Sequence, residues 1–311
     1  MMMPRKVAWL LLIVLLGPVV PALTSGCQSR TAGGQTLRVL AVENFLADIA
    51  QNVAGDRLKV DALMPLGADP HSFEPTPKEV ARVAKSDVLI VNGAGFEEFL
   101  KSMLQNAGGK RLVIEASAGL IQRTPGPGEG SGDVHEGDPH FWLNPINTIR
   151  YVENIRAGLS QADPAGKDTY DRNAQAYIAQ LRDLDAWITA QVTQIPAERR
   201  LLVTNHESFG YFADRYGFRI IGAIIPSVST SASPSARQLA ALIDHIKATG
   251  APAIFLETGT NPQLADQISA ETGVKVITGL YTHSVSAAGG PAATYIELMR
   301  YNAEQIVEAL K

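Results

Sequence analysis

The chain has 311 residues, 46% of them apolar, with 31 acidic and 27 basic side chains. That length allows one large or two medium globular domains. No basic run or stripe is present, which argues against nucleic acid as a partner.

Residues 1–26 read as a lipoprotein signal peptide. Met1 to Lys6 carry two positive charges, on Arg5 and Lys6, and Val7 to Leu23 form an apolar stretch of 17 residues. A charged start, an apolar middle and a small-residue end are the three parts of a secretory signal. The competing reading is a single transmembrane anchor, but 17 residues containing Pro18 and Pro21 are marginal for a spanning helix. Removing Arg5 and Lys6 takes the 27 basic side chains to 25 against 31 acidic, a net charge near −6. Mild acidity attracts cations but is common among protein surfaces.

Cys27 is the only cysteine. No disulfide can form within the chain, although export leads to where disulfides usually form. The segment Leu23-Thr24-Ser25-Gly26-Cys27 resembles a bacterial lipobox, with its leucine one position earlier than in the commonest pattern. Cys27 is therefore expected to be lipidated and to anchor the protein to a membrane, facing its extracytoplasmic side or the periplasm. Residues 27–35 read as a flexible tether, since Gln28 to Gln35 is polar and contains glycine.

An N-terminal α/β lobe is expected over residues 36–162. Leu37 to Val42, Leu58 to Leu63, Val88 to Val91 and Leu112 to Ile114 read as buried strands. Between them, Pro77 to Lys85 reads as a helix with Thr76 as N-cap, Pro77 in the first position and Glu79 completing a capping box. Strands alternating with helices predict a parallel sheet.

Residues 163–195 read as one connecting helix. Asp163-Pro164 supplies a cap and a first-turn proline. Tyr170, Tyr177, Leu181, Leu184, Ile188, Val192 and Ile195 then fall on one helical face. Continuous helix up to Pro196 would span 32 residues, or about 48 Å at 1.5 Å per residue. Such a helix is a stiff spine between two lobes.

A second α/β lobe follows over residues 196–311. Leu201 to Thr204, Arg219 to Ala223, Ala253 to Leu256 and Val274 to Ile277 read as strands, and a helix is expected to begin at His206 and run to Tyr216. Ser233-Pro234 opens another helix, with Leu239, Leu242, Ile243 and Ile246 on one face and Gly250 just past its end. The order cap-proline, helix, strand, helix, strand thus recurs in both halves, a weak internal repeat. Two similar lobes with a cleft between them follow, and ligands of open α/β sheets sit beyond the carboxyl ends of the strands.

All six histidines lie after Cys27. His71, His140, His206 and His283 fall in segments that follow a strand or precede a helix, two in each half. Their spacings of 69, 66 and 77 residues match no local metal motif. Each taken singly reads equally as a surface or core imidazole. Taken together they lie where a cleft would be, and four neutral imidazoles can complete a tetrahedron around zinc or a neighbouring divalent metal.

Four segments carry a wider likeness: Gly67 to Pro77 (GADPHSFEPTP), Asp138 to Pro145 (DPHFWLNP), Val203 to Phe218 (VTNHESFGYFADRYGF) and Gly289 to Asn302 (GGPAATYIELMRYN). With the long helix and the lipobox-like start, they resemble the zinc/manganese ABC-transporter solute-binding proteins over essentially the whole exported chain. The resemblance implies two lobes, each with a four-stranded parallel sheet flanked by helices, joined by one long rigid helix around an interlobe metal. It implies a monomeric binding protein that hands its ion to a permease and its ATPase, and no enzyme. By motif position His71, His140 and His206 match family ligands.

His283 stands where the family commonly has an acidic residue. It is expected to complete the site, the alternative being that it lines the cleft while water or Glu257 coordinates. Manganese-selective relatives tend to carry a carboxylate at the His206 position too, so this nitrogen-rich set favours Zn2+ over Mn2+. A manganese importer component, a surface adhesin and a zinc hydrolase are the competing functions. The hydrolase would need an open coordination position.

Asp69, Glu74, Asn144, Glu207 and Glu257 are candidates to accept the second imidazole N–H groups. Trp142, Phe209 and Tyr211 read as packing residues. His135, between Asp133 and Glu136, reads as part of a solvated loop or a weak accessory metal site, and His245 as structural. Gly93-Ala94-Gly95 lacks the rest of a phosphate-binding motif.

Overall fold

The runs of β-branched residues pair as the alternation predicts. The computed structural model describes residues 37–124 and 137–311. The expected signal peptide, Cys27, the tether and His135 lie outside the described residues. Four strands, β1 (Val39–Ala41), β2 (Val60–Ala62), β3 (Val88–Val91) and β4 (Leu112–Glu115), form one all-parallel sheet in the order β2-β1-β3-β4. A second parallel sheet holds β5 (Leu201–His206), β6 (Arg219–Ile225), β7 (Ala253–Glu257) and β8 (Lys275–Leu280) in the order β6-β5-β7-β8. The two orders are the same, so the weak sequence repeat is a repeat of topology. β3 and β7 are buried throughout, as central strands covered on both faces must be.

Helices α1 (Asn44–Ala54), α2 (Pro77–Lys85) and α3 (Leu100–Ala107) belong to the first lobe, and α6 (Gly210–Tyr216), α7 (Ala236–Thr249), α8 (Gln263–Thr272) and α9 (Tyr295–Leu310) follow in the second. The boundaries of α2 are those its cap predicts, with both halves of the Thr76–Glu79 box formed. The α7 cap is Ser235, not Ser233, because Gln238 closes its box on Ser235 and leaves Pro234 outside the helix.

Between the lobes, α4 (Pro145–Ala162) precedes α5 (Lys167–Val192), the long helix that joins the two sheets. Helix α4 is not among the elements expected above, although Asn144 caps it through Ile146 N at 2.9 Å and Pro145 opens it. Helix α5 has 26 residues, about 39 Å, and not the expected 32. Asp163 does not begin it. The Asp163 carboxylate is held by Arg57 and, at 2.6 Å, by the Tyr170 hydroxyl, while residues 164–166 make a separate 3-10 turn. Gly166 is pressed against the Arg57 side chain, where a Cβ would meet Nε at 2.3 Å. The predicted apolar face is buried at every position from Tyr170 to Val192, and Ile195 is buried beyond its end.

That face packs on α1, α4 and α9. It lies in one continuous core that takes in Phe45 and Ile90 of the first lobe and Leu202, Phe255 and Tyr295 of the second. The outer faces of the sheets have separate, smaller cores. The lobes therefore share their largest apolar core. Trp142 marks the joint. Its ring stacks on Phe45 at 4.5 Å, its Nε1 donates to Thr282 O of the second lobe at 2.8 Å, and its carbonyl accepts the Tyr295 hydroxyl at 2.6 Å.

Candidate metal centre

Asp-Pro-His occurs twice in the sequence, and both copies fold the same way. Asp69 Oδ1 accepts the backbone N–H of His71 at 3.0 Å, and Asp138 Oδ1 accepts that of His140 at 2.9 Å. Each is a local turn in which a carboxylate fixes the residue two places on. The turns aim both imidazoles into the cleft from the first-lobe side. From the second lobe, His206 is the last residue of β5 rather than the start of a helix. The strand runs two residues further than expected because Glu207 N bonds to Ser227 O at 3.0 Å and α6 begins only at Gly210. His283 follows the end of β8 at Leu280 by three residues.

These four imidazoles converge. The Nε2 atoms of His71, His206 and His283 lie 3.4, 3.3 and 3.4 Å from Nε2 of His140. One ring nitrogen from each of the four falls within 4.8 Å of all the others. His140 and His206 are fully buried, while His71 and His283 keep 7% and 8% of their surface, so these two face the openings of the cleft. Phe96 closes one side, edge-on to His71 at 5.1 Å. Among the other expected packing residues, Phe209 and Tyr211 are buried, and the Tyr211 hydroxyl donates to Asp138 O at 2.8 Å.

Two of the outward-facing nitrogens are hydrogen-bonded to carboxylates. His140 Nδ1 lies 2.9 Å from Asp138 Oδ1, and His206 Nδ1 lies 2.5 Å from Glu257 Oε1. His283 Nδ1 sits between Glu257 Oε2 at 3.7 Å and Asp69 Oδ1 at 3.8 Å. Of the expected orienting residues, Glu257 is in place, while Asp69 holds the His71 backbone and no imidazole N–H. Asn144 instead caps α4, Glu74 is exposed, and Glu207 follows His206 with its N–H on Ser227. Asp138 was not among them. The signal that finds it is the repeated tripeptide, which places a carboxylate two residues before each histidine. His245 stays on α7, outside the cluster.

Burial sets the protonation states. It pushes the His71 imidazole down to about 3, with the neighbouring His206 charge adding to the effect. His140 and His283 are likewise held well below the ordinary range by burial and by their imidazole neighbours. For His206 burial also lowers the pKa, but the charge and hydrogen bond of Glu257 outweigh it and leave the pKa raised. Three neutral imidazoles and one anchored by a carboxylate are a donor set for a borderline cation.

A family model described as the periplasmic component A of a zinc-uptake complex matches residues 39–309. The manganese-binding lipoprotein MntA of Halalkalibacterium halodurans is 34% identical over 296 residues, covering 94% of this chain and 96% of that protein. A manganese-bound periplasmic metal-binding protein from Candidatus Liberibacter asiaticus superposes with a TM-score of 0.79 at 28% identity, covering 89% of this chain and all of that one. The periplasmic zinc-binding protein TroA from Treponema pallidum gives the same TM-score and identity over 88% of this chain and 99% of its own. The chain belongs to the family of periplasmic component A proteins of zinc-uptake complexes, ZnuA.

Proposed function

We propose that this protein captures a divalent transition metal outside the cytoplasm and delivers it to the permease and ATPase of an ABC importer, with zinc as its cargo and His71, His140, His206 and His283 as the ligands. One observation carries this reading. A tetrahedron with zinc–nitrogen bonds of about 2.0–2.1 Å has edges of about 3.3–3.4 Å. Three of the six nitrogen–nitrogen edges, those to His140, are 3.4, 3.3 and 3.4 Å, and all six lie within 4.8 Å. Asp138 and Glu257 then fix the tautomers by accepting the opposite N–H groups, as carboxylates behind zinc-bound histidines do.

Four imidazoles close the coordination shell and leave no position for a catalytic water, which argues against a zinc hydrolase. A manganese reading is favoured by the name of the 34% identical relative. Against it stands the donor set, since manganese prefers carboxylate and water oxygens over imidazoles. Lipidation of Cys27 and attachment to the outer face of a membrane are supported by its being the only cysteine and by the lipoprotein names of relatives. Native mass spectrometry of the purified chain, with metal identification before and after chelation and competition between zinc and manganese, tests the assignment. One zinc per chain, not displaced by equimolar manganese, is expected. Displacement by manganese overturns the zinc assignment.

A further inference from the structure

Residues 226–235 link β6 to α7 and contain five serines and a threonine. This segment belongs to the second lobe, yet three consecutive hydroxyls reach the first. Ser229 Oγ donates to Glu98 Oε1 at 3.0 Å, Thr230 Oγ1 donates to Asp69 Oδ2, and Ser231 Oγ donates to His71 O at 3.0 Å. The segment is self-braced, with Ser229 N on Ser227 Oγ at 3.1 Å and Ser231 N on Ser229 Oγ at 3.3 Å. Its root is Ser227 O, which takes the N–H of Glu207 at 3.0 Å, one residue past His206. The strap therefore starts beside one imidazole of the cluster and ends on the loop that carries another.

Its place between two cavities gives it a task. A cavity of about 450 Å³ reaches His283 and is lined by Asp69, Thr230 and Glu257 among others. A second, of about 170 Å³, reaches His71 and is lined by Glu98, Val228 and Ser229. Thr230 faces the first and Val228 and Ser229 the second, so the strap divides them. Among the described residues, the loop that carries His71 is held from the second lobe by this segment, by the other imidazoles and by Ser284, whose Oγ accepts Gly67 N–H at 2.9 Å: Thr230 acts on Asp69, whose second oxygen holds His71 N, and Ser231 acts on the His71 carbonyl.

Resting on the reading that the four imidazoles hold the cargo metal, we propose that Thr230 and Ser231 are positioning residues that latch the His71 loop shut and set the rate of metal release. The ion leaves when the His71 loop swings from the cluster, and that movement must break both hydroxyl contacts. Capture starts from the open cleft, where neither contact exists, so association does not depend on them. Losing the neutral Ser231 bond corresponds to about a fivefold change in rate, and losing the Thr230 bond to a carboxylate to about tenfold or more. The hydroxyls touch no metal and the strap is partly exposed, so removing them leaves the folded core as it is.

The test is stopped-flow zinc uptake, and zinc release into excess chelator, for the full-length chain. Ser231→Ala is expected to speed release about fivefold, Thr230→Val about tenfold or more, and the double variant more than either. Association should stay within about twofold. Thr230→Ser, which keeps the hydroxyl, should release zinc at the wild-type rate. Melting of the metal-free proteins checks that all are folded. Wild-type release from the double variant overturns the latch alone, as does an effect confined to association. A wild-type chain that takes up no zinc overturns the metal-capture reading and the latch with it.

Discussion

Glu257 Oε1 lies 2.5 Å from His206 Nδ1, and its second oxygen accepts the Thr282 hydroxyl at 2.7 Å, one residue before His283. One carboxylate at the end of β7 thus braces both second-lobe imidazoles. Replacing it leaves His206 free to rotate and removes the partner that fixes its tautomer. Glu257→Ala is expected to weaken zinc binding by roughly 10–100-fold, the usual effect of losing a partner behind a metal-bound histidine. Competition titration against a chelator of known affinity measures this, and a wild-type affinity would remove Glu257 from the site.

The same pair governs pH dependence. His71, His140 and His283 are lowered and stay neutral through the physiological range, whereas His206 is raised and is the imidazole that protonates first as the pH falls. A metal must displace that proton, so lowering the pH weakens binding. With one competing proton, affinity should fall by about tenfold per pH unit below the His206 pKa, and not with the steeper slope of four ordinary imidazoles. Titrations between about pH 8 and about pH 5.5 give the slope. In Glu257→Gln, which removes the charge that raises His206, the fall should begin at lower pH.

The four histidines, the cleft and both sheets were legible because parallel strands need unbroken apolar runs and because metal loops follow strand ends. What the sequence hid was of two kinds. Helix α4 has an N-cap and a proline as clear as those of α2, and Tyr151, Val152, Ile155 and Leu159 share its buried face, but Thr148 and Gly158 interrupt the apolar pattern of that face and Ile146 lies exposed off it. Periodicity reads weakly where small or polar residues occupy the buried face. The start of α5 was misplaced because Asp163 has its carboxylate drawn away by Arg57, 106 residues earlier in the chain. Capping is a local signal and a distant guanidinium overrides it. The strap was invisible for the same reason: serines and threonines read as loop, and only the fold shows that their hydroxyls cross to the other lobe.

Glu43 lies at the N-cap of α1, buried, and its side chain makes no cap. Burial pushes its carboxyl well above the usual range, and the charge of buried Glu97 adds to this. Glu97, which accepts Gly93 N at 3.1 Å, is itself raised to about 7, chiefly by burial. A raised folded-state pKa means that the native state holds more protons than the unfolded chain above about pH 4.5, so stability falls as pH rises toward the folded values. Glu43→Gln removes a charge that must otherwise be buried. Its melting temperature should exceed wild type by an amount that grows from about pH 5 to about pH 8, at roughly 2–4 °C per kcal/mol recovered. Calorimetry at the two values checks it, and a gain independent of pH would assign the effect to packing.

The sharpest prediction concerns His283, whose Nε2 lies 3.4 Å from that of His140 while Nδ1 faces Asp69 and Glu257. It borders the larger cavity, so truncation opens the cluster directly to water. In His283→Ala the ion keeps three nitrogens and takes water in the fourth position. Zinc affinity should fall by more than the roughly 100-fold that marks the upper end of losses behind the ligands. His283→Asp should retain binding but move preference toward manganese, because a hard oxygen replaces a borderline nitrogen. The aspartate stem is shorter than the imidazole, so the ion must shift toward it or the loop after β8 must close inward. Either adjustment costs affinity for zinc, whose tetrahedral shell is small, more than for a cation that accepts more oxygen ligands. Isothermal titration of both variants with both metals decides the matter. Equal zinc affinities for wild type, alanine and aspartate would make His283 a lining residue of the cleft and leave three imidazoles to hold the ion.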